Sequence, residues 1–403
     1  MADPNASAKR NAFVLAGAQA LCGSAAPISI ALGGLVGAYL LGPDKSLATA
    51  PVTGYNVGVA LAALPAAMLM ARLGRRKGFM GGAAVGVFGA LLSAYAIFQA
   101  SFWLFAVGML FSGLGASFTQ QYRFAAADQG TEDFKPKAIS WVLAGGVFAA
   151  IVGPFAAITF GDFFAPVEFA GAFVAGAFLM LAGIFVLSML RFDKPASAAD
   201  RKATGSGRPL SQIMAQPRFI VSVVCAVCSY ALMSFMMTGT PLAMKVHGFG
   251  ADESTLGISL HVMAMFGPSF FTGNLITRFG KERIVAAGMV ILIACAVTGL
   301  SGVTLGHFYA GLILLGVGWN FGFIGATAML TDCYRPEEKG KAQGANDVIL
   351  FSLVAFGSFM SGLTLNAYGW DMLNLIVFPI VGACLLSLGW LVLNDRRPAS
   401  TAR

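Results

Sequence analysis

Residues 67–77 read Ala67-Met68-Leu69-Met70-Ala71-Arg72-Leu73-Gly74-Arg75-Arg76-Lys77. Residues 273–283 read Gly273-Asn274-Leu275-Ile276-Thr277-Arg278-Phe279-Gly280-Lys281-Glu282-Arg283. Arg72 aligns on Arg278 and Gly74 on Gly280 at one offset of 206 residues. Each stretch closes one long apolar run and opens another, with glycine at the bend and basic residues behind it. Glycine suits the left-handed backbone that such helix ends use. Asp128 and Asp332 repeat at an offset of 204. Duplicated halves of this size are a feature of transporters.

The composition agrees with a membrane setting. The 403 residues are 57% hydrophobic and 11% charged, whereas soluble domains carry about twice that charge. Gly 50 and Phe 34 suit packed membrane helices, whose small residues let backbones approach. Apolar runs lie at about 13–41, 47–70, 78–99, 102–122, 138–160, 167–190, 219–243, 254–276, 284–303, 307–330, 346–367 and 371–393. Each is long enough for a hydrocarbon core of roughly 30 Å. The sequence therefore predicts an all-α polytopic membrane protein with twelve transmembrane helices in two six-helix halves.

The net charge of +8 invites a nucleic-acid reading, which its distribution excludes. With twelve spans, Arg72, Arg75, Arg76, Lys77, Arg123, Arg278, Lys281, Arg283, Arg335, Lys339 and Lys341 share one side with both termini. Lys45 and Lys245 fall on the other. That asymmetry predicts cytoplasmic termini. The first apolar run is too long for a cleavable signal, so it reads as an uncleaved anchor. The polar stretch 191–217 reads as a cytoplasmic linker between an N-terminal half, 1–190, and a C-terminal half, 218–403.

The paired loops resemble the signature Gly-x-x-x-Asp-Arg-x-Gly-Arg-Arg-Lys of the major facilitator superfamily. Arg72, Gly74, Arg75, Arg76 and Lys77 match it, as do Gly273, Arg278 and Gly280, while Ala71 and Thr277 replace the acid. The resemblance covers nearly the whole chain and implies the major facilitator fold. Gly145-Gly146 and Gly153-Pro154 in the fifth run also resemble a Gly-Pro element of some facilitator antiporters, although packing alone explains such residues.

One further pattern points to a site. Met233 and Met237 form Met-x-x-x-Met in the seventh run, and His261 and Met265 form His-x-x-x-Met in the eighth. Residues four apart share a helix face. Thioether and imidazole make a soft ligand set that favours Cu(I). Met237 and His261 fall at similar depth, roughly 9 Å below the outer helix ends, with Met233 and Met265 one turn deeper. If the two helices face each other, the pairs form a ladder of two rungs. Methionine is also an ordinary gap-filler, so the pattern alone leaves packing and metal binding open. These pairs resemble the motifs of CcoA-like copper importers within the superfamily. By that resemblance Met233, Met237, His261 and Met265 are copper ligands. The resemblance implies a bacterial inner-membrane importer that brings in copper for haem–copper cytochrome oxidase biogenesis. It takes copper as cargo rather than cofactor, with copper donor or chaperone proteins as partners. Cys225 and Cys228, nearer the cytoplasmic end of the seventh run, are read either as helix packing or as a relay for the metal.

A rival expectation keeps the fold and changes the cargo to riboflavin or another small organic molecule. A flavin path asks for stacking aromatics and amide donors, and Gln19, Tyr55, Asn56, Tyr230, Trp319 and Asn320 supply those types. A non-transporting copper receptor or scaffold is disfavoured by the short loops. An enzyme is disfavoured because neither Gly-x-x-x-x-Gly-Lys-Ser/Thr nor His-Glu-x-x-His occurs.

Overall fold

A computed structural model describes residues 6–127, 135–192, 207–335 and 338–395. Spans one to six are Ala6–Leu40, Ala50–Leu73, Arg75–Phe98, Phe102–Thr119, Lys135–Phe160 and Ala170–Leu187. Spans seven to twelve are Pro217–Val246, Ala251–Phe279, Lys281–Leu300, Leu305–Leu330, Lys339–Leu375 and Val377–Asp395. These twelve helical segments coincide with the predicted apolar runs, and among the described residues ten of them, counting the bent pair of span eight as one, are long and apolar enough to cross a membrane. Asp128 and most of the 191–217 joint lie outside the described residues.

Three spans depart from straight helices. Span one breaks between Cys22 and Ala25. Span eight is two helices, Ala251–Phe266 and Ser269–Phe279, bent by 41°. Pro268 sits in that break and brings no N–H to the helical ladder. The helix of span eleven runs on past a kink at Gly369, whose φ is 78°.

The repeat is visible in backbone angles. Gly74 has φ 82° and ψ 156°, and Gly280 has φ 91° and ψ 153°. Both loops therefore turn through the same conformation, which side chains with a Cβ rarely adopt. The second loop is also ionically tied. Lys281 Nζ lies 2.6 Å from Asp332 Oδ1, and Arg218 Nη2 lies 2.5 Å from Glu282 Oε1. These pairs join the starts of spans seven and nine to the end of span ten.

Within each half, small residues bring neighbouring helices together. A Cβ on Gly115 of span four would lie 2.6 Å from the backbone nitrogen of Gly86 in span three. Gly288 of span nine meets the backbone of Gly322 in span ten in the same way. Such contact lets dispersion replace the hydrophobic drive that lipid does not supply.

The end of the joint docks on the C-terminal half. Ile213 is fully buried against Phe219, Val223, Leu330 and Cys333. Arg208 reaches the buried Glu338 through Nε and Nη2 at 2.9 and 2.7 Å, and Arg335 N–H donates to the same carboxylate. These donors hold the Glu338 carboxyl well below the usual carboxylate range.

Candidate functional site

A cavity lies between the halves. Spans one, two and five contribute Gln19, Tyr55, Asn56 and Gly146, and Gln120 and Arg123 join them from just beyond span four. Spans seven, eight and eleven contribute Tyr230, Met233, Ser234, Met237, Met265, Phe266 and Phe351. Asn56 Nδ2 reaches Ser234 Oγ at 3.4 Å, a polar contact across the two halves. The cavity has a volume of about 140 Å³, under half of the roughly 300 Å³ at which small-molecule sites begin, so a substrate has to widen it on binding.

The two sides of the cavity differ in chemistry. The N-terminal half presents the amides of Gln19, Asn56 and Gln120 and the guanidinium of Arg123. The C-terminal half presents rings. Tyr230 packs edge-on against Trp319, Phe323 and Phe351, with centroids 5.4, 5.2 and 5.8 Å away. Trp319 stacks on Phe323 at 5.1 Å and meets Phe266 at 6.4 Å. Each ring is therefore fixed by others, and Trp319 backs the wall while Tyr230, Phe266 and Phe351 face the cavity. A fixed aromatic wall opposite amide donors suits a planar heteroaromatic solute with a polar tail.

The expected metal ladder is only partly assembled. Met233, Met237 and Met265 line the cavity, and His261 does not. The His261 ring is fully buried and its Nδ1 lies 2.8 Å from the Leu312 carbonyl of span ten. A carbonyl only accepts, so Nδ1 carries the proton. Gly316 of span ten lies against the His261 backbone and lets the two spans approach here. The histidine thus tethers span eight to span ten, and the three methionines line the cavity beside the rings.

Cys225 and Cys228 are likewise away from the cavity. Cys225 Sγ lies 3.5 Å from Cys384 Sγ of span twelve, and Cys228 Sγ lies 3.7 Å from Met289 Sδ of span nine. All four residues are buried in the packing of the C-terminal half.

Of the residues proposed for an organic substrate, Gln19, Tyr55, Asn56 and Tyr230 line the cavity. Asn320 instead bonds to span eight. Arg123, Gln120, Phe266 and Phe351 escaped the sequence reading. Arg123 counted there as one of many cytoplasmic-side cations, and nothing in the spacing separates Phe266 and Phe351 from the other phenylalanines.

Comparison with known proteins corrects the expected cargo. The riboflavin transporter RfnT of Brucella anthropi is 52% identical over 382 residues, covering 94% of this chain and 95% of that protein. Two Bacillus subtilis proteins, the uncharacterized MFS-type transporters YddS and YdeG, are 31% and 30% identical, each over 93% of this chain. The similarity to a riboflavin transporter overturns the resemblance to copper importers. Copper as cargo, copper donors or chaperones as partners, and a link to cytochrome oxidase biogenesis fall with it. The physical reason is that four-residue spacing fixes a helix face but not the neighbour which that face meets. The model of the Major Facilitator Superfamily matches residues 12–300 and 269–403. The chain belongs to the major facilitator superfamily, and it is a multi-pass membrane transporter, not an enzyme.

Proposed function

We propose that the protein imports riboflavin across the bacterial inner membrane by alternating access of its two halves. The observation that carries this reading is 52% identity, along nearly the full length, to a protein named a riboflavin transporter. The cavity supports it chemically. In this reading Tyr230, Phe266 and Phe351 offer the isoalloxazine ring an aromatic face, and Gln19, Asn56, Gln120 and Arg123, which line the same cavity, offer hydrogen-bonding groups to the ribityl hydroxyls and ring carbonyls. Met233, Met237 and Met265 complete the apolar side, where thioether–ring contacts are favourable. Transport needs no cofactor.

In this reading the halves 1–190 and 218–403 rock about the cavity, and the joint 191–217 spans them on the cytoplasmic side. Both termini are cytoplasmic, from the distribution of lysine and arginine.

Growth of a riboflavin-auxotrophic bacterium that lacks its own flavin importer tests the function. Expression of this chain is expected to support growth at riboflavin concentrations where control cells fail. Equal growth with and without the protein, with the protein present in the membrane, refutes the proposal.

A further inference from the structure

We propose that Asn320 of span ten is a positioning residue that sets the bend of span eight and thereby shapes the cavity wall. The bend places Gly267 and Pro268 between two helices. Proline removes a donor from the ladder and disfavours a straight continuation. Buried backbone carbonyls near such a break need another partner.

Asn320 supplies one. Its side chain is fully buried. Nδ2 lies 2.7 Å from the Met265 carbonyl, just before the break, and 2.7 Å from Ser269 Oγ, just after it. Oδ1 lies 2.6 Å from Thr272 Oγ1, one turn further on. The Met265 carbonyl can only accept, which fixes the orientation of the amide. Thr272 Oγ1 also lies 2.8 Å from the Pro268 carbonyl, so its single proton serves one of the two oxygens. One amide thus holds both segments of span eight.

The cavity feels this directly. Met265 and Phe266, the last residues before the break, line it. Trp319, the neighbour of Asn320 in sequence, backs Phe266 and Tyr230. Consecutive residues of span ten therefore supply the staple and the ring it aligns. Other polar residues of spans eight and ten tie one span to another at a single point, as His261 does to Leu312 and Ser259 to Ala150, or bond within their own helix, as Thr327 does, whereas Asn320 bridges the two sides of a break.

The test uses the full-length transporter with spin labels at Leu256→Cys and Phe279→Cys, one on each segment of span eight. Both positions are exposed on the helix surface. Pulsed electron resonance in lipid reads the distance between them. The staple predicts one narrow distance in the parent and a shifted or broadened one in Asn320→Leu. At matched membrane levels Asn320→Leu is expected to raise the KM for riboflavin by about fivefold or more. Where Asn320→Leu fails to reach the membrane, Ser269→Ala with Thr272→Val loosens the same staple and takes its place. An unchanged distance with KM within about twofold of the parent overturns the proposal. A lower maximal rate with both readings unchanged overturns it too, since that describes general structural support. The uptake reading rests on riboflavin as substrate and the distance reading does not. A parent that shows no riboflavin uptake therefore refutes the functional reading while the bend is still judged.

Discussion

Replacing Tyr230 with alanine removes the ring around which the aromatic wall is built. Tyr230 touches Trp319, Phe323 and Phe351 edge-on and also faces the cavity. Stacking of a flat heterocycle on one aromatic side chain is worth about 1–3 kcal/mol by alanine substitution. A central value of about 2 kcal/mol corresponds to about 30-fold in affinity. Tyr230→Ala is therefore expected to raise the KM for riboflavin about 30-fold if binding is fast relative to translocation. Tyr230→Phe keeps the ring and is expected to stay within about threefold of the parent. Initial rates of radiolabelled riboflavin uptake, measured over a range of concentrations and normalised to membrane protein, give both constants. Tyr230→Leu controls for collapse of the three neighbouring rings by restoring bulk without a π-face. A Tyr230→Ala variant that keeps the parental KM would refute the stacking argument. So would a Leu variant indistinguishable from the Phe variant.

Four further expectations follow from the same geometry. His261→Ala removes one buried hydrogen bond to the Leu312 carbonyl, which keeps its own helical partner, and costs about 0.5–1.5 kcal/mol for that bond; the unfolding temperature in detergent falls while riboflavin KM stays within about twofold of the parent. The Cys225→Ala and Cys228→Ala double variant is expected to keep riboflavin uptake, because neither sulfur lines the cavity; loss of uptake at normal membrane levels would count against this. Gly280→Ala forces a Cβ onto a backbone with φ 91°; about 1–3 kcal/mol of strain is expected, read as a lower unfolding temperature. Glu338, with its carboxyl held low by Arg208, stabilises the docked joint fully above the ordinary glutamate value of about 4.3. That contribution is lost as pH falls further through the depressed folded value. Acid therefore lowers the parental unfolding temperature more than that of Glu338→Gln.

The fold was legible because a bilayer sets a simple length requirement. Each crossing needs about twenty apolar residues, and twelve runs satisfy it. The repeat was legible because Gly74 and Gly280 must both adopt a conformation that few other residues tolerate. The break in span eight carried a signal, Gly267-Pro268 inside an apolar run, yet hydropathy alone reads through it. The site was harder to read. Met233, Met237 and Met265 all line the cavity. Copper as their expected cargo is overturned by the similarity to a riboflavin transporter, and the spacing could not signal this because a thioether serves equally as ligand and as apolar wall. His261 shares the helical register of Met265, but the contact at Gly316 brings span ten close enough to take its ring. Tertiary packing decides such a contact, and the sequence period does not encode it. Tyr230 was identifiable by type, whereas Phe266 and Phe351 gain their role only from their place opposite the amides.

The most direct test of the account is paired uptake in the same cells. Radiolabelled riboflavin and radiocopper are supplied in parallel to cells with and without the protein. The account predicts that expression raises riboflavin accumulation and leaves copper unchanged. Copper accumulation that depends on Met237 and His261, with no riboflavin accumulation, would contradict it.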